Sequence, residues 1–144
     1  MRTRIVLPIG LALSAAACSS AYREPIVGLL CEGCEAVFDG LPETFGSRAR
    51  IAPMGEPGTP LELAGRVVDR EGRPAAGIVI YAYHTDARGI YPPDLGARSE
   101  EGRRHGPLRA WVRSDAEGRF AFDTIRPGGY PGTDLPEHVH LHVL

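Results

Sequence analysis

A tyrosine and two histidines lie close together near the end of the sequence. Tyr130 precedes His138 by eight positions, and His138 and His140 form an HxH pair. Because successive side chains of a β-strand alternate faces, the two histidines point to the same side, and a loop could bring Tyr130 beside them. Two imidazoles and a phenolate suit a redox metal, whereas cysteines typical of structural zinc sites are absent from this stretch. The spacing therefore predicts a metal site.

Short strands must position these residues. From Leu61 onwards, β-branched and aromatic runs alternate with turn signals, and these runs are LELAGRVVD, GIVIYAYHT, LRAWVRSD, RFAFDTI and HVHLHVL. The second run is apolar on both faces and predicts a central strand, whereas RFAFDTI alternates and predicts one wetter face. The pattern predicts an all-β fold, a small antiparallel β-sandwich over residues 61–144.

Two segments are rich in proline, glycine and charge. Residues 18–60 show no sustained helical period, which predicts an irregular N-terminal arm. The segment from Tyr91 to Pro107 has a similar composition and predicts a long loop. Long loops on a rigid sandwich are where binding and catalytic sites are usually built.

The first residues have the layout of a secretory signal. Two arginines, an apolar run and small residues fill positions 1–17, which predicts a signal peptide and export of the protein. The alanines before Cys18 resemble a bacterial lipobox, so a lipidated Cys18 would tether the protein to a membrane. Cleavage without lipid, giving a periplasmic or extracellular protein, is the alternative. Loss of the leader leaves 14 basic and 18 acidic residues, a net charge of −4, which argues against a nucleic-acid partner.

Cys31 and Cys34 form a CEGC motif. In an exported protein this spacing favours a local disulfide or a pairing outside the chain. A thioredoxin-type redox role is disfavoured because the motif lacks a βαβ context.

Four candidate ligands stand in specific sequence contexts between Gly65 and Val143. One tyrosine, Tyr91, ends GRVVDREGRPAAGIVIYAYHTDARGIY, another, Tyr130, ends SDAEGRFAFDTIRPGGY, and the histidines form HVH. The tyrosines are 39 positions apart. In these motifs the sequence resembles the intradiol ring-cleavage dioxygenases, which include the protocatechuate and catechol 1,2-type enzymes.

The resemblance implies a non-haem iron site and a catalytic activity. Its metal would be ferric iron, Fe(3+), held by Tyr91, Tyr130, His138 and His140. Tyr130 would be the catalytic ligand that an incoming catechol displaces, while Tyr91 would stay bound. Dioxygen would then cleave the aromatic ring between its two hydroxylated carbons to give a muconate-type diacid.

The sequence departs from the family pattern in three places. The family usually has an arginine three positions before the first histidine, and Leu135 stands there. Loss of such a charge could lower the rate by a factor on the order of 10²–10³. The resemblance therefore predicts an enzyme of this family but leaves open whether it is active. The interval from Tyr130 to His138 is also shorter than usual. Family members normally continue beyond the position of Leu144, so we expect a C-terminally incomplete domain.

Several residues have simpler interpretations. Trp111 and at least one of Tyr81 and Tyr83 are expected in the core. His84 and His105 lie next to turns, and exposure is the default expectation for both. A three-histidine zinc or copper site that includes His142 is an alternative to the iron site. An exported, non-catalytic binding module, similar to transthyretin-like or carboxypeptidase-regulatory sandwiches, is the alternative function.

Overall fold

The structure, a computed structural model, describes residues 34–144. The predicted signal peptide, Cys18 and Cys31 lie outside the described residues, so export and lipidation stay predictions. The elements, in chain order, are a 3-10 helix Cys34–Phe38, β1 Arg48–Arg50, β2 Pro60–Arg66, β3 Val79–Tyr83, α1 Glu100–His105, β4 Arg109–Arg113, β5 Arg119–Ile125 and β6 His140–Val143. Within residues 34–144, neither helix is long and apolar enough to cross a membrane.

The strands form two three-stranded sheets. The first has the order β1-β5-β2, with β2 antiparallel to β5 from Pro60 opposite Ile125 to Arg66 opposite Arg119, and with β1 parallel to β5. The second has the order β4-β3-β6, and both of its pairings are antiparallel. The all-β sandwich prediction is confirmed, and each of the five predicted runs contains a strand.

The central strand β3 is covered on both faces, as its apolar sequence predicts. Ile80 and Ala82 face the core between the sheets, which also includes Val112 of β4 and Phe122 of β5. On the opposite face of β3, Tyr81 and Tyr83 form a second buried cluster with Val37 of the 3-10 helix and Trp111 of β4. In β5, by contrast, Phe122 and Thr124 are buried while Asp123 lies on the wetter face.

The second cluster joins β3 and β4 to the N-terminal segment. Trp111 is a packing anchor, as expected, and its indole N–H donates a hydrogen bond of 2.7 Å to the carbonyl oxygen of Val37. Cys34, at the start of the same 3-10 helix, is disulfide-bonded.

The predicted arm is not irregular throughout its described part. Strand β1 joins the first sheet, and Ile51 and Ala52 directly after it are buried in the core. The sequence gives little signal for this strand because it is only three residues long and carries two arginines. Its place on the sheet is supported by ion pairs of Arg48 with Glu62 and Asp123.

The predicted loop from Tyr91 to Pro107 contains the short helix α1. Ser99 caps this helix by accepting a hydrogen bond of 2.8 Å from the backbone N–H of Gly102. The Ser99 hydroxyl in turn donates a hydrogen bond of 2.6 Å to the buried carboxylate of Asp39. Hydrogen bonds therefore join the loop to the N-terminal segment, which consists of the 3-10 helix and Asp39 directly after it.

His84 and His105 are buried, so the expectation of exposure was wrong. Nδ1 of His84 donates to the carbonyl oxygen of Thr85 and Nε2 accepts from the hydroxyl of Thr124, both at 2.6 Å. His105 lies 3.0 Å from the hydroxyl of Tyr81 through Nδ1. Burial of these polar rings is tolerated because both nitrogens of His84 and Nδ1 of His105 find partners, which a single sequence does not reveal.

Candidate metal centre

Four side chains converge on the outer face of the second sheet. The hydroxyl oxygens of Tyr91 and Tyr130 are 2.8 Å apart. The Tyr130 oxygen lies 3.1 Å from Nε2 of His138 and 3.2 Å from Nε2 of His140. The two Nε2 atoms are 3.1 Å apart, so both histidines point to the same side. All four residues proposed as ligands from the sequence are thus brought together, with the Tyr130 oxygen at the centre.

Two crossing loops carry the tyrosines. Tyr91 follows the turn after β3, and Tyr130 follows the end of β5. The backbone carbonyl of Asp86 accepts hydrogen bonds of 3.0 Å from Gly89 N–H and 2.9 Å from Gly128 N–H, which joins the loops. The Thr85 hydroxyl adds a hydrogen bond of 2.8 Å to the Gly128 carbonyl.

Glycine is required where these loops touch. Gly89 has φ +82°, and a Cβ there would collide with the carbonyl oxygen of Gly129. A Cβ on Gly128 would collide with the backbone nitrogen of Gly89. The sequence alone did not mark these glycines or Asp86 as positioning residues, although the DARG turn signal contains Asp86 and Gly89.

His138 presents its Nε2 atom to Tyr130 and His140. Its Nδ1 lies 2.7 Å from the carbonyl oxygen of Pro136, and since a carbonyl only accepts, Nδ1 carries the proton. In the neutral form of the ring, Nε2 then carries the lone pair that can bind a metal. A second ring nitrogen that donates to a backbone carbonyl is the usual arrangement of a metal-binding histidine.

His140 opens strand β6 and pairs with Tyr83 of β3. Burial, followed by the neighbouring His138, lowers the pKa of His140 to about 4. The imidazole is consequently neutral at physiological pH, which is the form that binds a metal.

Tyr91 lacks a positive partner among the side chains that converge here. Burial first, and then the neighbouring Tyr130, raise the pKa of Tyr91 above its ordinary value. The protein alone therefore keeps this phenol protonated, and a metal cation at the centre would be the charge that favours its phenolate form.

The donor set and its spacing fit a metal ion. Bonds of about 2.1 Å set at right angles place two ligand atoms roughly 3 Å apart. The three contacts of the Tyr130 oxygen and the contact between the two histidines measure 2.8 to 3.2 Å. Imidazole nitrogens combined with phenol oxygens suit a ferric ion, because hard anionic oxygen ligands favour the higher oxidation state.

His142 is directed away from this cluster. Its Nδ1 lies 3.6 Å from Sγ of Cys34, and its ring packs edge-on against Tyr81. Within residues 34–144, no group of three or more histidine, cysteine, aspartate or glutamate side chains is arranged to hold a metal. The described residues thus give no support to the three-histidine alternative.

Known proteins resemble the chain over most of this region. A family model described as "Dioxygenase" matches residues 44–143. The chain belongs to the intradiol ring-cleavage dioxygenase family. Catechol 1,2-dioxygenase 1 of Acinetobacter lwoffii is 33% identical over 107 residues, covering 73% of this chain and 31% of that protein. 6-Chlorohydroxyquinol 1,2-dioxygenase of Cupriavidus pinatubonensis is 36% identical over 80 residues, covering 56% of this chain and 27% of that protein.

Solved structures of the family share the fold. An intradiol ring-cleavage dioxygenase from Tetranychus urticae matches with a TM-score of 0.53 at 26% identity, covering 72% of this chain and 52% of that one. The dioxygenase domain of a carbohydrate-binding fusion protein from Streptomyces sp. SirexAA-E matches with a TM-score of 0.52, also at 26% identity, covering 72% and 59%.

The family resemblance seen in the sequence is confirmed, and the alternative of a non-catalytic binding module is not supported. The chain spans about a third of the length of the catechol 1,2-dioxygenases it matches.

Proposed function

We propose that the protein is a non-haem iron(III) intradiol dioxygenase that acts on a catechol-type substrate with dioxygen. The observation that carries this proposal is the convergence of Tyr91, Tyr130, His138 and His140 around the Tyr130 oxygen, which lies 2.8 to 3.2 Å from the donor atoms of the other three. The chain also belongs to a family of catechol and hydroxyquinol dioxygenases. Bound ferric iron would act as a Lewis acid towards the catechol oxygens.

The two histidines would hold the metal through their Nε2 atoms. The hydrogen bond from His138 to Pro136 fixes the ring with its lone pair inward, and the low pKa of His140 leaves its ring free of a competing proton.

The tyrosines have different surroundings, which supports different roles. Tyr91 packs against the buried cluster of Tyr81, Tyr83 and Trp111, so it is the ligand that stays in place. Tyr130 opens a segment in which every residue from Pro131 to Glu137 is exposed. Its oxygen is therefore the one that an arriving catechol can displace, and it can accept the proton from a catechol hydroxyl.

Leu135 lowers the rate of catechol cleavage that we expect. Its side chain is 56% exposed, and no positive charge stands at this position, where the family usually has arginine. We therefore expect slow cleavage of simple catechols and a preference for electron-rich or bulky ones, which need less help in stabilising charge.

We also propose that the protein is exported. The arginines and apolar run of residues 1–17 support a signal peptide, and the small residues before Cys18 support lipidation and a membrane tether. Mass spectrometry of the mature N-terminus distinguishes a lipidated cysteine from a plain cleavage product.

Spectroscopy and oxygen uptake test the activity. The iron-loaded full chain should be red from tyrosinate-to-iron(III) charge transfer and should consume oxygen with at least one of catechol, protocatechuate and hydroxyquinol. Tyr130→Phe should retain some iron, shift the absorption band and slow turnover, whereas His138→Ala should lose iron. A colourless iron-loaded protein would overturn the iron-tyrosinate assignment. A red protein without oxygen uptake on any of the three would refute the dioxygenase activity.

A second variant tests Leu135. Leu135→Arg should raise turnover of catechol without changing iron content, because its guanidinium would lie on the approach to the metal. Leu41→Arg, at another partly exposed leucine, controls for a general effect of added charge. Equal turnover in Leu135→Arg and wild type would show that this position does not limit the rate.

A further inference from the structure

We propose that Tyr83 is a positioning residue that fixes the ring orientation of His140. This inference rests on the proposed function, because His140 matters as a metal ligand. The Tyr83 ring lies between two imidazoles, with its centroid 3.6 Å from that of His105 and 4.5 Å from that of His140. The three rings are almost parallel, with interplanar angles of 5° and 7°.

The backbone register places Tyr83 and His140 side by side. Tyr83 in β3 is paired directly with His140 in β6, so their side chains leave the same face of the sheet. Tyr83 is also 7% exposed, which leaves its ring little room to move. The contact is therefore built into the sheet and does not depend on a mobile loop.

The two histidines of the metal centre are held by different means. Nδ1 of His138 donates to the carbonyl of Pro136. Within residues 34–144, Nδ1 of His140 has no hydrogen-bond partner, and its Nε2 contacts only Tyr130 and His138 of the centre itself. Ring stacking on Tyr83 is consequently the contact that sets the plane of the His140 imidazole independently of the metal.

The far side of Tyr83 is fixed as well. His105, the last residue of α1, stacks on the other face of the Tyr83 ring and is 6% exposed. Nδ1 of His105 lies 3.0 Å from the hydroxyl of the neighbouring Tyr81. Helix α1 thus supports the stack from behind, which links the loop between Tyr91 and Pro107 to the orientation of a metal ligand on another strand.

The stack uses the aromatic ring and not the hydroxyl. No hydrogen bond of the Tyr83 hydroxyl is found in residues 34–144. Burial raises the pKa of this hydroxyl to about 12, so it stays protonated. A phenylalanine should therefore position His140 as well as tyrosine does. A leucine would fill part of the volume but would leave the imidazole free to rotate.

Iron affinity in the full chain tests the proposal. We expect Tyr83→Leu to weaken iron(III) binding about tenfold, measured by competition with a chelator, and to shift the charge-transfer band. Tyr83→Phe should match wild type in both. Phe122→Leu is the matched control, because Phe122 is also a buried aromatic residue but its ring contact is with Phe120 and not with His140.

Nuclear magnetic resonance of the metal-free chain separates this proposal from the proposed function. Aromatic ring currents from Tyr83 should shift the His140 ring protons upfield in wild type and Tyr83→Phe, but not in Tyr83→Leu. Loss of that shift together with weaker iron binding supports the proposal. Wild-type iron affinity in Tyr83→Leu, an equal loss in Phe122→Leu, or unchanged His140 shifts would overturn it. A wild-type chain that binds no iron but shows the shifts would refute only the proposed function.

Discussion

Replacing Asp39 by alanine should release the loop that carries Tyr91 from the N-terminal segment. The Asp39 carboxylate is 8% exposed and accepts hydrogen bonds from the backbone N–H of Arg98 at 3.1 Å and of Ser99 at 2.6 Å. It also accepts from the Ser99 hydroxyl at 2.6 Å. One side chain therefore satisfies three donors at the N-terminus of α1.

The free energy of unfolding should fall by about 3 kcal/mol. Each hydrogen bond to a charged acceptor contributes roughly 1.5–3 kcal/mol net, but alanine also removes the cost of burying the carboxylate, so the full sum is not lost. The substitution also removes a negative charge near Arg109, which destabilises the folded state further. Nη1 of Arg109 is buried without a hydrogen bond, and Asp39 partly balances its charge. The variant leaves Arg109 with the 3.1 Å ion pair to Asp94.

Urea unfolding followed by tryptophan fluorescence measures this loss. Trp111 is the single tryptophan, and its indole is bonded to Val37, two residues before Asp39. Asp69→Ala is the matched control, because Asp69 accepts from two backbone N–H groups and from Arg73, but within an exposed turn. We expect a loss of at most about 1 kcal/mol there. Equal losses in the two variants, or an unchanged midpoint in Asp39→Ala, would refute the reasoning.

The same carboxylate predicts a response to acid. Hydrogen bonds from Ser99 lower the pKa of Asp39 from 3.8 to about 2. Because the folded pKa is depressed, the stabilisation is fully present above about pH 4 and is lost as the pH falls towards 2. Wild type should lose this contribution over that range, whereas Asp39→Ala has none to lose.

Three further changes test the positioning of the loops and the buried polar contacts. Gly89→Ala should destabilise the protein and reduce iron binding, because the new Cβ would collide with the neighbouring loop. Gly72→Ala is the control, since Gly72 has a similar φ of +80° but open space around it. There the free energy of unfolding in urea should fall by only about 1 kcal/mol. Thr124→Val should lower the free energy of unfolding by about 1–3 kcal/mol, because it leaves Nε2 of His84 without its hydrogen-bond donor. Thr133→Val, at an exposed threonine, should lower it by less. Burial lowers the pKa of His84, so the stability of the metal-free protein should fall as the pH drops below about 6.5, and a pH-independent unfolding midpoint between pH 7 and 5 would contradict this.

Properties that depend on near neighbours in the chain were predictable from the sequence. Alternation places His138 and His140 on one face whatever the rest of the fold does, and the apolar run of β3 requires cover on both sides. Strand β1 was missed because three residues with two arginines carry little periodic signal, and α1 was missed because six residues are too few to show a helical period.

Contacts between distant residues were decided by the tertiary structure. Tyr91 and Tyr130 are 39 positions apart, and they meet because their loops cross at glycines that allow close backbone approach. His84 is buried because Thr124 of the other sheet supplies a donor.

By itself the sequence determined strands β2 to β6 and the shared face of the two histidines, because each follows from local composition and periodicity. Only the tertiary structure decided that Tyr83 lies between His105 and His140, since strand register and the position of α1 arise from packing across the whole domain.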